Sequence, residues 1–267
     1  MAKTPQHASA LLHALWQPAV LRVREEVADM QQLADQDSIK IEPWDYRFYA
    51  EQVRKARYDL DASELKPYLQ LDKLREGMFY VAQQLFGLRF IGLDHTQVPV
   101  YHPDVSAWEV SEYRNQHHFA GRITPIVSNN ANFTRGKAGE PVLIHWDDAV
   151  TLFHEFGHAL HGLLSNVSYP TLSGTSVTRD FVEFPSQLFE HWLLTPDVLQ
   201  RFAVHYQTGE SLPQDFIEKI VRARNFNQGF NTLEYLASAM IDMALHSSTD
   251  PAIDVSEFEA RTLSALG

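Results

Sequence analysis

Two histidines four residues apart, with a glutamate beside the first, sit inside a nearly all-apolar stretch: Thr151-Leu-Phe-His154-Glu155-Phe-Gly-His158-Ala-Leu-His161-Gly162. At 3.6 residues per turn this spacing puts His154 and His158 on one face of a helix, one turn apart. Imidazoles so placed can both reach one ion at roughly 2.0–2.1 Å. Glu155 is rotated about 100° from His154 and flanks that ion, where a general base for an attacking water belongs. The competing reading is a surface helix whose histidines fall four apart by accident. Val150, Leu152, Phe153, Phe156, Leu160 and Leu163 are apolar nearly all round, so the helix should be buried. Buried His and Glu need partners, which favours the H-E-x-x-H arrangement of a zinc peptidase. The chain has no Cys, so a metal must be held by His and carboxylate.

The third ligand separates the zinc-peptidase classes. The metzincin signature wants Gly and then His at three and six residues past the second ligand. Those places hold His161 and Leu164, which excludes that class. The remaining option is a Glu on a following helix. Asp180-Phe-Val-Glu183-Phe-Pro-Ser-Gln187-Leu-Phe-Glu190 supplies it, since Glu183, Gln187 and Glu190 form one polar stripe. Glu183 can be a ligand or a capping box with Asp180. Pro185 tells against the cap, because it removes a helix hydrogen bond. For Glu190, a hydrogen bond to a ligand histidine from behind and an ordinary buried salt bridge are both open.

The remainder of the chain bounds the setting. With 267 residues, 45% of them hydrophobic, it can bury a substantial core as one large domain or two small ones. A formal charge of −12 argues against a nucleic-acid partner. No apolar run approaches the roughly 18 residues of a membrane span, and the N-terminus has no apolar core ahead of a cleavage site. The expectation is a cytoplasmic protein with no membrane partner.

Periodicity predicts a mostly α fold. Leu11, Leu15, Ala19, Val23, Val27, Met30 and Leu33 read as one apolar stripe of a first helix. Pro43 opens a second through Trp44, Phe48, Val53 and Ala56, and Leu71 to Phe86 makes a third carrying Leu74, Met78, Val81 and Leu85. Asp61 to Glu64 looks like a capping box between them. A small β or irregular insert occupies residues 88–138, with strands expected at Leu88–Leu93 and Val98–Tyr101. His117-His118 and Ser128-Asn-Asn-Ala-Asn132 read as loop. Helices resume at Asp147, with further starts at Ser211, Asn231 and Asp254.

These motifs resemble the thimet oligopeptidase family of zinc peptidases, and the bacterial peptidyl-dipeptidase branch in particular. Tyr169-Pro-Thr-Leu-Ser-Gly-Thr175, Phe184-Pro-Ser-Gln-Leu-Phe-Glu-His-Trp192, His205-Tyr-Gln-Thr-Gly-Glu210, Trp44-Asp-Tyr-Arg-Phe-Tyr49 and Tyr101-His-Pro-Asp-Val105 carry the similarity along nearly the whole chain. The resemblance implies a zincin-like (gluzincin) helical catalytic core over residues 1–267. It implies one Zn2+ held by His154, His158 and Glu183, Glu155 as general base, and short peptides as substrates that lose C-terminal dipeptides. Glu190 and His161 would stand behind the ligands. Family members are longer. They carry a helical portion before this stretch and a Gly-Tyr-Tyr-type loop after it, and Val110 to Ile126 is shorter than the strand-rich stretch found there. The chain thus reads as a fragment or reduced variant of the catalytic half. The resemblance assigns the oxyanion donors to that loop, and His161 and His205 lie outside the donor position, so weak or undetectable peptidase activity is expected. Two alternatives accompany that reading: a zinc-binding but catalytically silent interaction protein, and an oligopeptidase cutting internally. A zinc aminopeptidase would need an acidic motif upstream of the metal helix, and none is seen.

Overall fold

The computed structural model describes residues 2–58, 62–111, 125–134, 136 and 139–266. Its elements in chain order are α1 (Pro5–Ala34), α2 (Tyr46–Tyr58), α3 (Ala62–Leu65), α4 (Leu71–Phe86), β1 (Arg89–Leu93), β2 (Ala107–Ser111), α5 (Trp146–Leu163), α6 (Phe184–Glu190), α7 (Pro196–Phe202), α8 (Gln214–Ala223), α9 (Gln228–His246) and α10 (Val255–Leu266). The described residues are mostly helical, as the periodicity predicts. They fall into two units, one of Met1–Leu60 with Arg222–Gly267 and one of Asp61–Val221.

In the first unit α1 starts at a Thr4 cap, whose Oγ1 accepts from His7 N–H at 3.3 Å, with Pro5 just inside. The predicted stripe fails at its beginning. Leu11 and Leu15 are exposed, and Trp16 is buried instead against Leu236 and Met240 of α9, its Nε1–H donating to Leu266 O. The cause is geometric. Four successive steps of four residues, from Leu11 to Val27, accumulate about 160° of rotation, so the two ends cannot face one core. Helix α2 likewise begins at Tyr46. Trp44 and Phe48 point outward, while Tyr46, Tyr49, Ala50 and Val53 pack on Met30 and Ala34. Helix α9 begins at Gln228, ahead of the predicted Asn231, because its cap comes from outside. The buried carboxylate of Glu26 on α1 accepts from Gly229 and Phe230 N–H, both at 3.0 Å.

The second unit holds α5, the helix that carries His154, Glu155 and His158. Leu71 N–H donates to Val142 O (2.9 Å) and Ile144 N–H to Leu69 O (3.0 Å), so α4 and α5 leave from one anchor over fully buried Leu69 and Ile144. Helix α4 has its predicted bounds and ends at Gly87 in the left-handed region (φ 72°), although Leu85 is exposed. Strand β1 pairs antiparallel with β2, Arg89 opposite Ser111 and Leu93 opposite Ala107. The second strand is therefore Ala107–Ser111 and not Val98–Tyr101. Pro99 lacks a ladder donor, and Asp94–Gln97 folds into a turn held by Asp94 Oδ1 and Thr96 N–H. Phe90 of β1 stacks on Phe79 of α4 at 4.1 Å. Residues 128–132 have no regular structure, as predicted. His117, His118 and Asp61 lie outside the described residues. Helix α10 begins as predicted, with Asp254 Oδ1 accepting from Glu257 N–H at 3.0 Å.

Candidate metal centre

Helix α5 is positioned by its apolar side. Ala149, Leu152, Phe153, Phe156, Ala159 and Leu160 are buried, with Phe153 and Phe156 against Phe189 of α6. Its first turn holds Asp147 and Asp148, which suit the positive end of the helix dipole, and Asp148 Oδ2 accepts from His145 N–H at 2.9 Å. This leaves His154, Glu155, His158 and His161 half-buried along the helix.

Helix α6 crosses α5 at Gly157. A Cβ there would stand 2.5 Å from Ser186 Cα and 2.8 Å from Pro185 O, so only glycine permits this approach. The crossing carries Glu183, at the N-cap of α6, to the histidines. Pro185 occupies the first turn, where its missing N–H is tolerated. Glu183 makes no capping bond to its own helix. Instead its Oε2 lies 3.2 Å from His154 Nε2 and 3.1 Å from His158 Nε2, and accepts from Ser186 Oγ at 2.9 Å. Glu190, at the far end of α6, accepts from His154 Nδ1 at 2.6 Å.

The donor set fits a metal ion of the zinc type. A carboxylate can only accept, so the Glu190 bond places a proton on Nδ1 of His154. A neutral His154 then turns the Nε2 lone pair toward Glu183 Oε2, which is also electron-rich, and only a cation or proton between them relieves the conflict. His154, His158 and Glu183 offer ligand atoms within 4.8 Å of one another. The two N···O separations are close to the roughly 3.3 Å kept by tetrahedral ligands at 2.0–2.1 Å. The Glu183 carboxyl is held below its usual range, first by the Ser186 hydrogen bond, against desolvation and with help from His158 and His154.

The other histidines go elsewhere. His161 lies one turn beyond His158, its ring edge-on to Phe181 at 6.0 Å. Burial, then the charge of His158, lowers its pKa. His205 serves its own turn, Nδ1 accepting from the N–H groups of Gln207 and Thr208, both at 3.3 Å. Sequence reasoning passed over Ser186 and Gly157. The visible trace of both is a small residue set among large apolar ones where two helices must touch.

The profile of Peptidase family M3 matches the chain in two stretches, residues 1–124 and 113–265. The chain belongs to Peptidase family M3. It is 40% identical to the dipeptidyl carboxypeptidase of Escherichia coli (strain K12), over 99% of this chain and 43% of that protein. To the oligopeptidase A of Salmonella typhimurium it is 29% identical, over 94% of this chain and 41% of the relative. To a probable cytosolic oligopeptidase A of Arabidopsis thaliana it is 30% identical, over 90% and 39%. This M3 chain thus spans less than half the length of the curated relatives it matches. The alignment to the carboxypeptidase runs over 296 positions against 267 residues here, so the relative has positions without a counterpart. Among the described residues no helix is long and apolar enough to cross a membrane.

Proposed function

We propose that this M3 chain is the zinc-binding catalytic portion of a peptidase that shortens small peptides, releasing C-terminal dipeptides. The observation that carries the reading is the convergence of His154, His158 and Glu183 beside Glu155 on the same helix. The preference for dipeptide release follows the higher identity to a dipeptidyl carboxypeptidase, 40% against 29% for an oligopeptidase A. All three ligands belong to the Asp61–Val221 unit, and residues 1–267 are taken together as one catalytic segment of a cytoplasmic enzyme.

When bound, zinc supplies Lewis acidity to the scissile carbonyl and lowers the pKa of water. His154, His158 and Glu183 would hold it, with Glu190 keeping His154 in the tautomer that leaves Nε2 free. Glu155 takes a proton from the attacking water as its oxygen adds to the carbonyl carbon. The same carboxyl returns that proton to the amine as the C–N bond breaks.

A second reading, a zinc-holding chain with little turnover, is favoured by the openness of the ligand face, where the Glu183 side chain is 54% exposed. Elemental analysis and mass spectrometry of a blocked peptide incubated with the zinc-loaded chain separate the possibilities. A C-terminal dipeptide supports the proposal, and internal cleavage points to the oligopeptidase mode. A zinc-loaded chain that leaves the peptide whole supports the second reading, and a chain that takes up no zinc removes the metal assignment.

A further inference from the structure

Helix α6 has an acidic residue at its N-cap that does not cap it. A side-chain oxygen in this place ordinarily accepts from the N–H of the second or third helical residue. The second residue here is Pro185, which has no N–H, and the third is Ser186. Ser186 is fully buried, pressed by its Cα against the bare face of Gly157. Its hydroxyl reaches back along the chain and is shared between Glu183 O and Glu183 Oε2, both at 2.9 Å. The oxygen it touches is the one that faces Nε2 of both histidines. The carboxylate thus makes no capping bond to the backbone of its own helix and is tied instead by the buried Ser186 hydroxyl, with Oε2 facing the imidazoles.

We propose that Ser186 is the positioning residue of the metal centre, holding Glu183 in its ligating orientation, and that Pro185 assists by removing the competing donor. The inference rests on the zinc reading above. A glutamate has several side-chain torsions to freeze, and Glu183 is the most exposed of the three ligands. With Ser186 in place that ordering is complete before an ion arrives, so the hydroxyl acts on affinity even though it does not itself ligate.

The test is the zinc dissociation constant of the full 267-residue chain, measured by competition with a chromophoric chelator, for wild type, Ser186→Ala, Ser186→Thr and Pro185→Ala. Far-UV circular dichroism and thermal melts of the metal-free forms accompany it. Ser186→Ala should bind zinc about 10- to 100-fold more weakly, the usual cost of losing a partner behind a ligand, with unchanged helicity. Ser186→Thr keeps the hydroxyl and should recover most of that loss. Pro185→Ala restores an N–H that draws the carboxylate to its own helix, and should lose affinity in the same direction by less. A purely structural serine would shift the melts and leave the constant in place. Wild type that binds zinc while Ser186→Ala matches it overturns this inference alone. Should Ser186→Ala fail to fold, Pro185→Ala binding as tightly as wild type overturns it. Wild type that binds no zinc overturns the metal site itself, and this inference with it.

Discussion

Glu190 accepts a 2.6 Å hydrogen bond from Nδ1 of His154, while Nδ1 of His158, one turn along the same helix, is buried with no partner among the described residues. The two candidate ligands are therefore oriented by different means. His154 has its tautomer and ring angle set by a carboxylate on the neighbouring helix. His158 is held by packing, edge-on to His154 with ring centres 5.0 Å apart. Replacing Glu190 by Ala should weaken zinc binding by about 10- to 100-fold. Glu190→Gln keeps an acceptor oxygen and should lose less. Equal dissociation constants for wild type and Glu190→Ala would show that this bond is an ordinary ion pair, the other reading its sequence position allows.

The proposed role of Glu155 is proton transfer and not metal binding, which separates it from its neighbour His154. The Glu155→Gln variant should retain zinc at wild-type stoichiometry. Its amide cannot take the water proton, so hydrolysis should fall by at least about 100-fold, the low end of general-base contributions. Steady-state rates on a blocked peptide, paired with elemental analysis, read both quantities. A variant that keeps more than about a hundredth of the wild-type rate would move the base elsewhere.

Gly157 lies inside a helix, where Ala is ordinarily better by about 1 kcal/mol. Here the crossing reverses the sign. The added methyl would meet Ser186 Cα at 2.5 Å and Pro185 O at 2.8 Å, both backbone atoms that cannot rotate away. Overpacking of this kind costs about 1–3 kcal/mol and should push α6 outward, carrying Glu183 and Glu190 with it. Gly157→Ala should therefore melt at a lower temperature and lose zinc affinity together. Gly139 has open space around its Cα but a φ of 86°, so Gly139→Ala is strained without touching α6. A melt lowered equally in both, with zinc binding intact in Gly157→Ala, would show that the close approach does not position the site.

Helix α5 and the shared face of its two histidines were legible because their evidence is local. His154 and His158 are related by the helical period alone, and the apolar residues around them report burial without reference to any other segment. Helix α4 was legible for the same reason, ending at a glycine suited to φ 72°. What escaped was nonlocal. The start of α9 depends on Glu26, 203 residues from Gly229 in the chain. The pairing of β1 with Ala107–Ser111 depends on which of two apolar runs returns to it, and the run with Pro99 does not. Trp16 displaced Leu15 from the core because one residue of rotation suffices to change which face of α1 meets α9. Ser186 escaped for a subtler reason. Its part depends on the orientation of another side chain, and spacing carries no record of that.

His161 gives the chain a dependence on pH that is separable from metal binding. Its pKa is lowered from an ordinary 6.5, chiefly by burial and then by the charge of His158. The folded chain therefore favours the neutral ring, and the unfolded chain binds the proton more readily. Between the lowered pKa and about 6.5 the unfolded state holds more protons, so stability rises with pH in that window. The contribution is fully present above about 6.5 and is lost as pH falls below it. The measurement belongs to the metal-free protein, since protons also compete with zinc for His154 and His158. Thermal melts in chelator between about pH 7.5 and 5.5, a range that brackets an unperturbed histidine, should fall more steeply for wild type than for His161→Gln. The Gln side chain does not titrate, so its own packing cost is the same at every pH and cancels from the slope. Parallel slopes for the two proteins would mean that His161 titrates alike in the folded and unfolded chains, and that its burial against Phe181 exerts no hold on the proton.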